Sequence, residues 1–95
     1  MDREQLREAL DREIDEWARA SFEDLRSRLR EVCAYERGEG ESRYQVEVVL
    51  LEATAEYVNV SIAVDDGGWS AFKPVSENFL VFRDSNVERP MRRHR

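Results

Sequence analysis

The sequence predicts a single α+β domain, with a long N-terminal helix, continuous or broken once, packed on one face of a three- to four-stranded antiparallel β-meander. Three observations carry this. Apolar residues recur at spacings of three and four from Leu6 to Cys33, as one buried face of a helix requires. From Tyr44 onward the pattern changes to alternation among Val, Ile and aromatic residues, the signature of strands. Clusters of Gly, Asp, Asn and Ser then divide this second part into short runs.

Residues 3–37 read as helix. They contain no Pro, and the first Gly is Gly38, which is placed to end a helix as its left-handed terminal residue. Leu6, Leu10, Ile14, Trp17, Ala18, Phe22, Leu25, Leu29, Val32 and Cys33 form the stripe. Opposite charges four apart, such as Glu8–Arg12, Arg12–Glu16, Asp15–Arg19 and Asp24–Arg28, decorate the other side. A helix of that length would run to roughly 50 Å, whereas a compact domain of this size has a radius of gyration near 13 Å, as an order of magnitude. Either the helix breaks near Ala20-Ser21, where Ser21-Phe22-Glu23-Asp24 resembles a capping box, or it stays whole and a second subunit covers the overhang. Ala18 and Ala20 favour continuity.

Gly38-Glu39-Gly40-Glu41 reads as a turn. Arg43–Leu51 is the first strand, with Tyr44, Val46, Val48 and Leu50 on one face and Gln45, Glu47, Val49 and Leu51 on the other. Glu52–Glu56 connects it to a second strand, Tyr57–Asp65, which places Val58, Val60, Ile62 and Val64 together. Asp65-Asp66-Gly67-Gly68 is the clearest turn. Trp69–Lys73 reads as a short strand, Glu77–Arg83 as the last full one, and Val87 as a further residue of pairing. Residues 1–88 form the domain and 89–95 a basic, flexible tail.

Composition narrows the functional classes. The chain has 95 residues and a net charge of −6, with −9 on residues 1–82 and +3 on residues 83–95. So acidic a body repels nucleic acid and anionic membrane, which makes nucleic-acid binding an unfavoured role reserved for the Arg tail. No apolar run reaches the roughly 20 residues of a membrane span, and the N-terminus lacks a signal-peptide pattern, so a cytoplasmic address is expected. One Cys and one His, Cys33 and His94, leave little room for thiolate zinc sites or imidazole chemistry.

No group of residues reads as catalytic, metal-ligating or cofactor-binding. Asp65 and Asp66, with Glu77, lack the spacing of a calcium loop and read as a turn. Glu47, Glu52 and Glu56 are the acids nearest the strands, and solvated positions are their default. The serines lack a nucleophile-elbow context. Cys33 reads as a small hydrophobe at the margin of the helical stripe.

One feature of the sheet points to function. Val48-Val49-Leu50-Leu51 and Phe79-Leu80-Val81-Phe82 place apolar groups on both faces, yet one helical layer covers one face. Val49, Leu51, Ala63, Trp69, Phe72 and Leu80 are therefore the expected interface residues. The expected function is a non-enzymatic interaction module of chaperone, immunity or adaptor type, forming a homodimer or binding a partner protein, with no cofactor. The alternative is a ligand pocket between helix and sheet, lined by Tyr44, Tyr57 and Trp69 with Glu47 as its polar group.

Overall fold

The computed structural model describes residues 1–29, 32–67, 74–84 and 86–89. Helix α1 spans Arg3–Trp17 and α2 spans Phe22–Arg28. Five strands follow: β1 Cys33–Arg37, β2 Tyr44–Ala53, β3 Tyr57–Asp65, β4 Val75–Phe82 and β5 Val87–Glu88. They form one sheet in the order β1-β2-β3-β4-β5, antiparallel throughout, so the chain is an α+β fold with a simple meander.

The N-terminal helix breaks at the capping serine. Backbone bonds Arg19 N–H to Glu16 O (3.2 Å) and Ala20 N–H to Trp17 O (3.0 Å) tighten the end of α1 into a turn. Ser21 is extended and its hydroxyl accepts from the Asp24 N–H at 3.1 Å, opening α2. The two alanines therefore do not keep the helix whole. At the other end of α1, Asp2 and Gln5 satisfy each other's backbone N–H groups.

The break serves the core. Leu6, Leu10, Ile14 and Trp17 on α1, and Phe22, Leu25 and Leu29 after the turn, are all buried against one sheet face. That face presents Val46, Val48, Val58, Val60, Ile62, Val64, Val75, Phe79 and Val81, also buried. Each such aliphatic burial contributes roughly 1.5–3 kcal/mol. The helices sit mainly over the far strands, α1 on β3 and β4 and α2 on β3. The result has a Cα radius of gyration of 13.5 Å.

The sequence reading is corrected at residues 33–37. They form strand β1, not the last turns of a helix, pairing Cys33 with Val48, Tyr35 with Val46 and Arg37 with Tyr44. Ala, Glu and Arg are good helix formers, but the unpaired edge of β2 offers a full backbone ladder, and tertiary pairing overrides propensity. Gly38 accordingly ends a strand rather than a helix. Its φ is +79°, and a Cβ there would lie 2.5 Å from the Ser42 carbonyl oxygen. The short 3-10 turn Gly40–Ser42 then leads into β2.

Strand β3 alternates as the sequence predicts, with every second residue buried from Val58 to Val64. Strand β2 does not keep its alternation to the end. Leu50 pairs with Val60 and Glu52 with Asn59, so Leu51 is the extra residue of a β-bulge. Strand β4 begins at Val75, two residues before the predicted start, and β5 supplies the pairing expected at Val87. The short strand expected at Trp69–Lys73 lies outside the described residues.

Two glycine substitutions separate strain from clash. Gly40 also has positive φ, +60°, but open space around its Cα. Gly40→Ala should therefore cost only the left-handed strain of about 1–2 kcal/mol, whereas Gly38→Ala adds a backbone collision and should cost distinctly more. Urea unfolding of both variants measures the difference; equal losses would show that the Gly38 turn is not tight.

Candidate functional site

The described region of greatest chemical density lies where α1 meets the β1 edge of the sheet. Glu13 falls on the inward face of α1, three residues after Leu10 and four before Trp17, and is 1% exposed. Its carboxylate accepts from the Tyr35 hydroxyl at 2.5 Å through Oε1 and from the Tyr44 hydroxyl at 3.1 Å through Oε2. Arg37 Nε stands 2.9 Å from the same Oε2, and Arg37 Nη2 donates to Glu16 at 3.1 Å. Trp17 Nε1–H donates to the Tyr35 oxygen at 2.7 Å. Both carboxylate oxygens are thus satisfied, and among the described residues no buried side-chain polar atom is left without a partner.

The network has a simple structural origin. Tyr35 and Arg37 share the helix-side face of β1, and Tyr44 lies beside Arg37 on β2. The helices sit chiefly over β3 and β4, so long polar side chains span the gap to the edge strand. Burial pushes the Tyr35 hydroxyl up to about 12, with the Glu13 hydrogen bond adding to it. Burial and then Glu13 raise Tyr44 as well. The Glu13 charge raises Arg37 above its ordinary value.

A cleft of about 350 Å³ opens beside this network, within the size range of small-molecule sites, about 300–1,000 Å³. Trp17 and Ala20 form its helical wall, and Cys33 and Tyr35 its strand wall. The Trp17 and Tyr35 rings stack with centroids 6.5 Å apart. Arg28 stands 4.9 Å over the Trp17 ring and Arg37 stands 5.1 Å over Tyr35. Cys33, expected on a helical stripe, is a half-buried strand residue lining this cleft.

A second candidate surface is the sheet face away from the helices. Val49, Ala63 and Leu80 lie on it, half-buried, and Leu51 at the bulge is 56% exposed. The fold does not gather them into one apolar block. Ser61 lies across from both Val49 and Asn78, and the Asn78 amide donates to Asn59 at 3.0 Å beside Leu80. Tyr57 and Phe82, absent from the expected set, pair directly with ring centroids 5.7 Å apart and extend the Leu80 end. Trp69 and Phe72 lie outside the described residues.

The remaining sequence candidates take ordinary structural roles. Asp65 accepts from the Gly67 N–H at 2.9 Å, forming the turn, and Asp66 pairs with the Met1 amine at 2.9 Å. Among the described residues no group of three His, Cys, Asp or Glu could hold a metal. Glu47, Glu52 and Glu56 are exposed, and Glu52 accepts from the Tyr57 hydroxyl at 2.6 Å. Tyr44 faces the helices whereas Tyr57 and Glu47 face the other way, so they do not form the pocket the sequence allowed. Glu77, on the helix side opposite Ile62, is held by Arg89 Nε at 2.7 Å, and Arg89 also reaches Asp11 at 3.2 Å. Arg89, the first residue of the expected tail, is thereby tied to the domain; residues 90–95 lie outside the described residues. No described helix is long and apolar enough to cross a membrane.

No family model matches the chain, and no curated protein or solved structure matches it significantly.

Two outcomes test the network. Glu13→Leu leaves the buried Tyr44 hydroxyl without its acceptor and should cost about 1–3 kcal/mol; adding Tyr44→Phe should recover part of that loss, since matched apolar replacement of a buried polar pair is close to neutral. A double-mutant cycle in urea measures the coupling, and simple additivity would refute it. The second outcome concerns pH. Tyr35 binds its proton more tightly in the native state than at its ordinary value of 10.0. Its contribution is therefore fully present below pH 10 and lost as pH rises through about 12. Over that window the wild type should lose more stability than Tyr35→Phe; parallel pH profiles for the two proteins would contradict this.

Proposed function

We propose that this chain is a non-enzymatic interaction module that associates with a second copy of itself through the sheet face its helices leave uncovered. The observation that carries this reading is the placement of both helices on one side of the sheet while the other side keeps Val49, Leu80, Tyr57 and Phe82 only half-buried and Leu51 exposed. Two such faces can stack at about 10 Å and bury their aliphatic rows against each other. The size of the domain adds to the case, because a chain of 95 residues has a thin margin of buried surface and gains from a partner.

Carboxylates border the apolar residues at both ends of this face. Glu36, Glu47 and Asp65 stand at one end of this face, and Leu80, Tyr57 and Phe82 at the other, where Glu52 and Glu88 flank Leu80 and Glu52 accepts from the Tyr57 hydroxyl. The buried carboxylate does not argue for catalysis, because the oxygens of Glu13 are already engaged by Tyr35, Tyr44 and Arg37. Half-buried Cys33 is a free thiol, which suits the cytoplasm.

Light scattering across a wide concentration range tests the reading. The apparent mass should rise toward twice 11.2 kDa with concentration. Leu80→Glu, on the uncovered face and away from the helices, should return the protein to a monomer while its far-ultraviolet circular dichroism stays native. A monomer at every concentration, or a dimer indifferent to Leu80→Glu, would overturn the proposal.

A further inference from the structure

The cleft at the β1 edge exists because that strand extends past the helical layer. Its helix-side row, Cys33, Tyr35 and Arg37, therefore forms a wall facing the end of α1. The body of the cleft is apolar and aromatic, made by Trp17, Ala20, Cys33 and Tyr35. Its rim carries charge in unequal states of engagement. Arg37 is committed to Glu13 and Glu16, and Glu16 is committed in return. Among the described residues Arg28 has the Trp17 ring as its partner and none of its five N–H donors makes a hydrogen bond. The indole under it holds the guanidinium in place without neutralising it. The unspent polar capacity of the cleft is thus mainly donor capacity, and it is cationic.

The geometry points to this cleft as a binding site for an aryl carboxylate, whose ring packs on the wall made by Ala20, Cys33 and the cleft-facing edges of the hydrogen-bonded Trp17–Tyr35 pair, and whose carboxylate meets the planar donor fork of Arg28. Arginine suits this role because its parallel N–H groups match a carboxylate in two-point contact. A cationic ligand is disfavoured because guanidinium groups already stand over both rings. A neutral ring would fill the cleft but leave Arg28 unanswered. The same chemistry occurs in a free aromatic acid and in the C-terminal aromatic residue of a peptide. The site lies on the helix side of the sheet, so it stands or falls independently of association through the opposite face.

Titration calorimetry with phenylacetate and N-acetylphenylalanine tests the assignment, with phenylacetamide and N-acetylphenylalaninamide as neutral controls. In a Trp69→Phe background, Trp17 is the remaining indole of the two in the chain, and its emission reports on the cleft. At least one acid should bind saturably and change that emission, and its amide should bind at least about tenfold more weakly, as loss of a charge-assisted hydrogen bond implies. Arg28→Gln should weaken the acid by a similar factor while lowering the melting temperature by no more than a few degrees, since Arg28 is exposed near the end of α2 and its contact with the Trp17 ring is a weak one at an exposed site. Binding of phenylacetate at least as tight as that of N-acetylphenylalanine identifies a free aromatic acid as the ligand class; a tenfold preference for N-acetylphenylalanine identifies a peptide terminus. Equal binding of acid and amide, indifference to Arg28→Gln, or no saturable binding of either acid at millimolar concentration overturns the assignment.

Discussion

A single helical layer has to serve a five-stranded sheet, and the molecule is organised around that shortage of cover. The break at Ser21 folds the N-terminal segment back so that Phe22, Leu25 and Leu29 reinforce the core that Leu6, Leu10 and Ile14 begin. Even so, the helices rest chiefly on β3 and β4. Aliphatic contact closes the molecule there. Toward β1 the distance is spanned by longer, polar side chains, and on the far face no described helix contributes at all. The core, the Glu13 network, the cleft and the uncovered face are thus four responses to one geometric mismatch.

The Glu13 network shows how a carboxylate is accommodated on the buried, largely apolar face of a helix. A carboxylate taken out of water is costly unless its lone pairs are met. Here two phenols and a guanidinium meet them, and the indole N–H of Trp17 completes the chain through Tyr35. Arg37 is partly open to water, which lowers the penalty on the cation while leaving the carboxylate enclosed. The same half-open placement lets Arg37 and Tyr35 act as a wall of the adjoining cleft, so one set of residues shapes both features.

Legibility in the sequence varied with how local the cause was. Strand β3 could be read directly, because Val58, Val60, Ile62 and Val64 alternate with polar or small residues and the strand lies at the centre of the sheet. The break could be located at Ser21 from its capping pattern, but not decided, since Ala18 and Ala20 are equally content in a helix. Strand β1 was illegible, because Cys33–Arg37 owe their extension to the edge of β2 and not to their own preferences. The burial of Glu13 did have a signal in its spacing from Leu10 and Trp17, but its partners Tyr35 and Arg37 are recognisable only once β1 is a strand. The bulge at Leu51 left no trace in the continuous apolar run Val48-Val49-Leu50-Leu51, which fixes no register of its own.

The network at the sheet edge also bears on how the chain avoids a wrong structure. Strand β1 has five residues and little aliphatic content, so hydrophobic contact alone specifies its alignment weakly. Slipping it by one residue would turn Tyr35 and Arg37 away and bring Ala34 and Glu36 to face Glu13. Two donors would be replaced by a methyl group and a second carboxylate in an enclosed space. The buried acid thereby works as a proofreader, making the misaligned edge electrostatically intolerable where greasy packing could not tell the two apart.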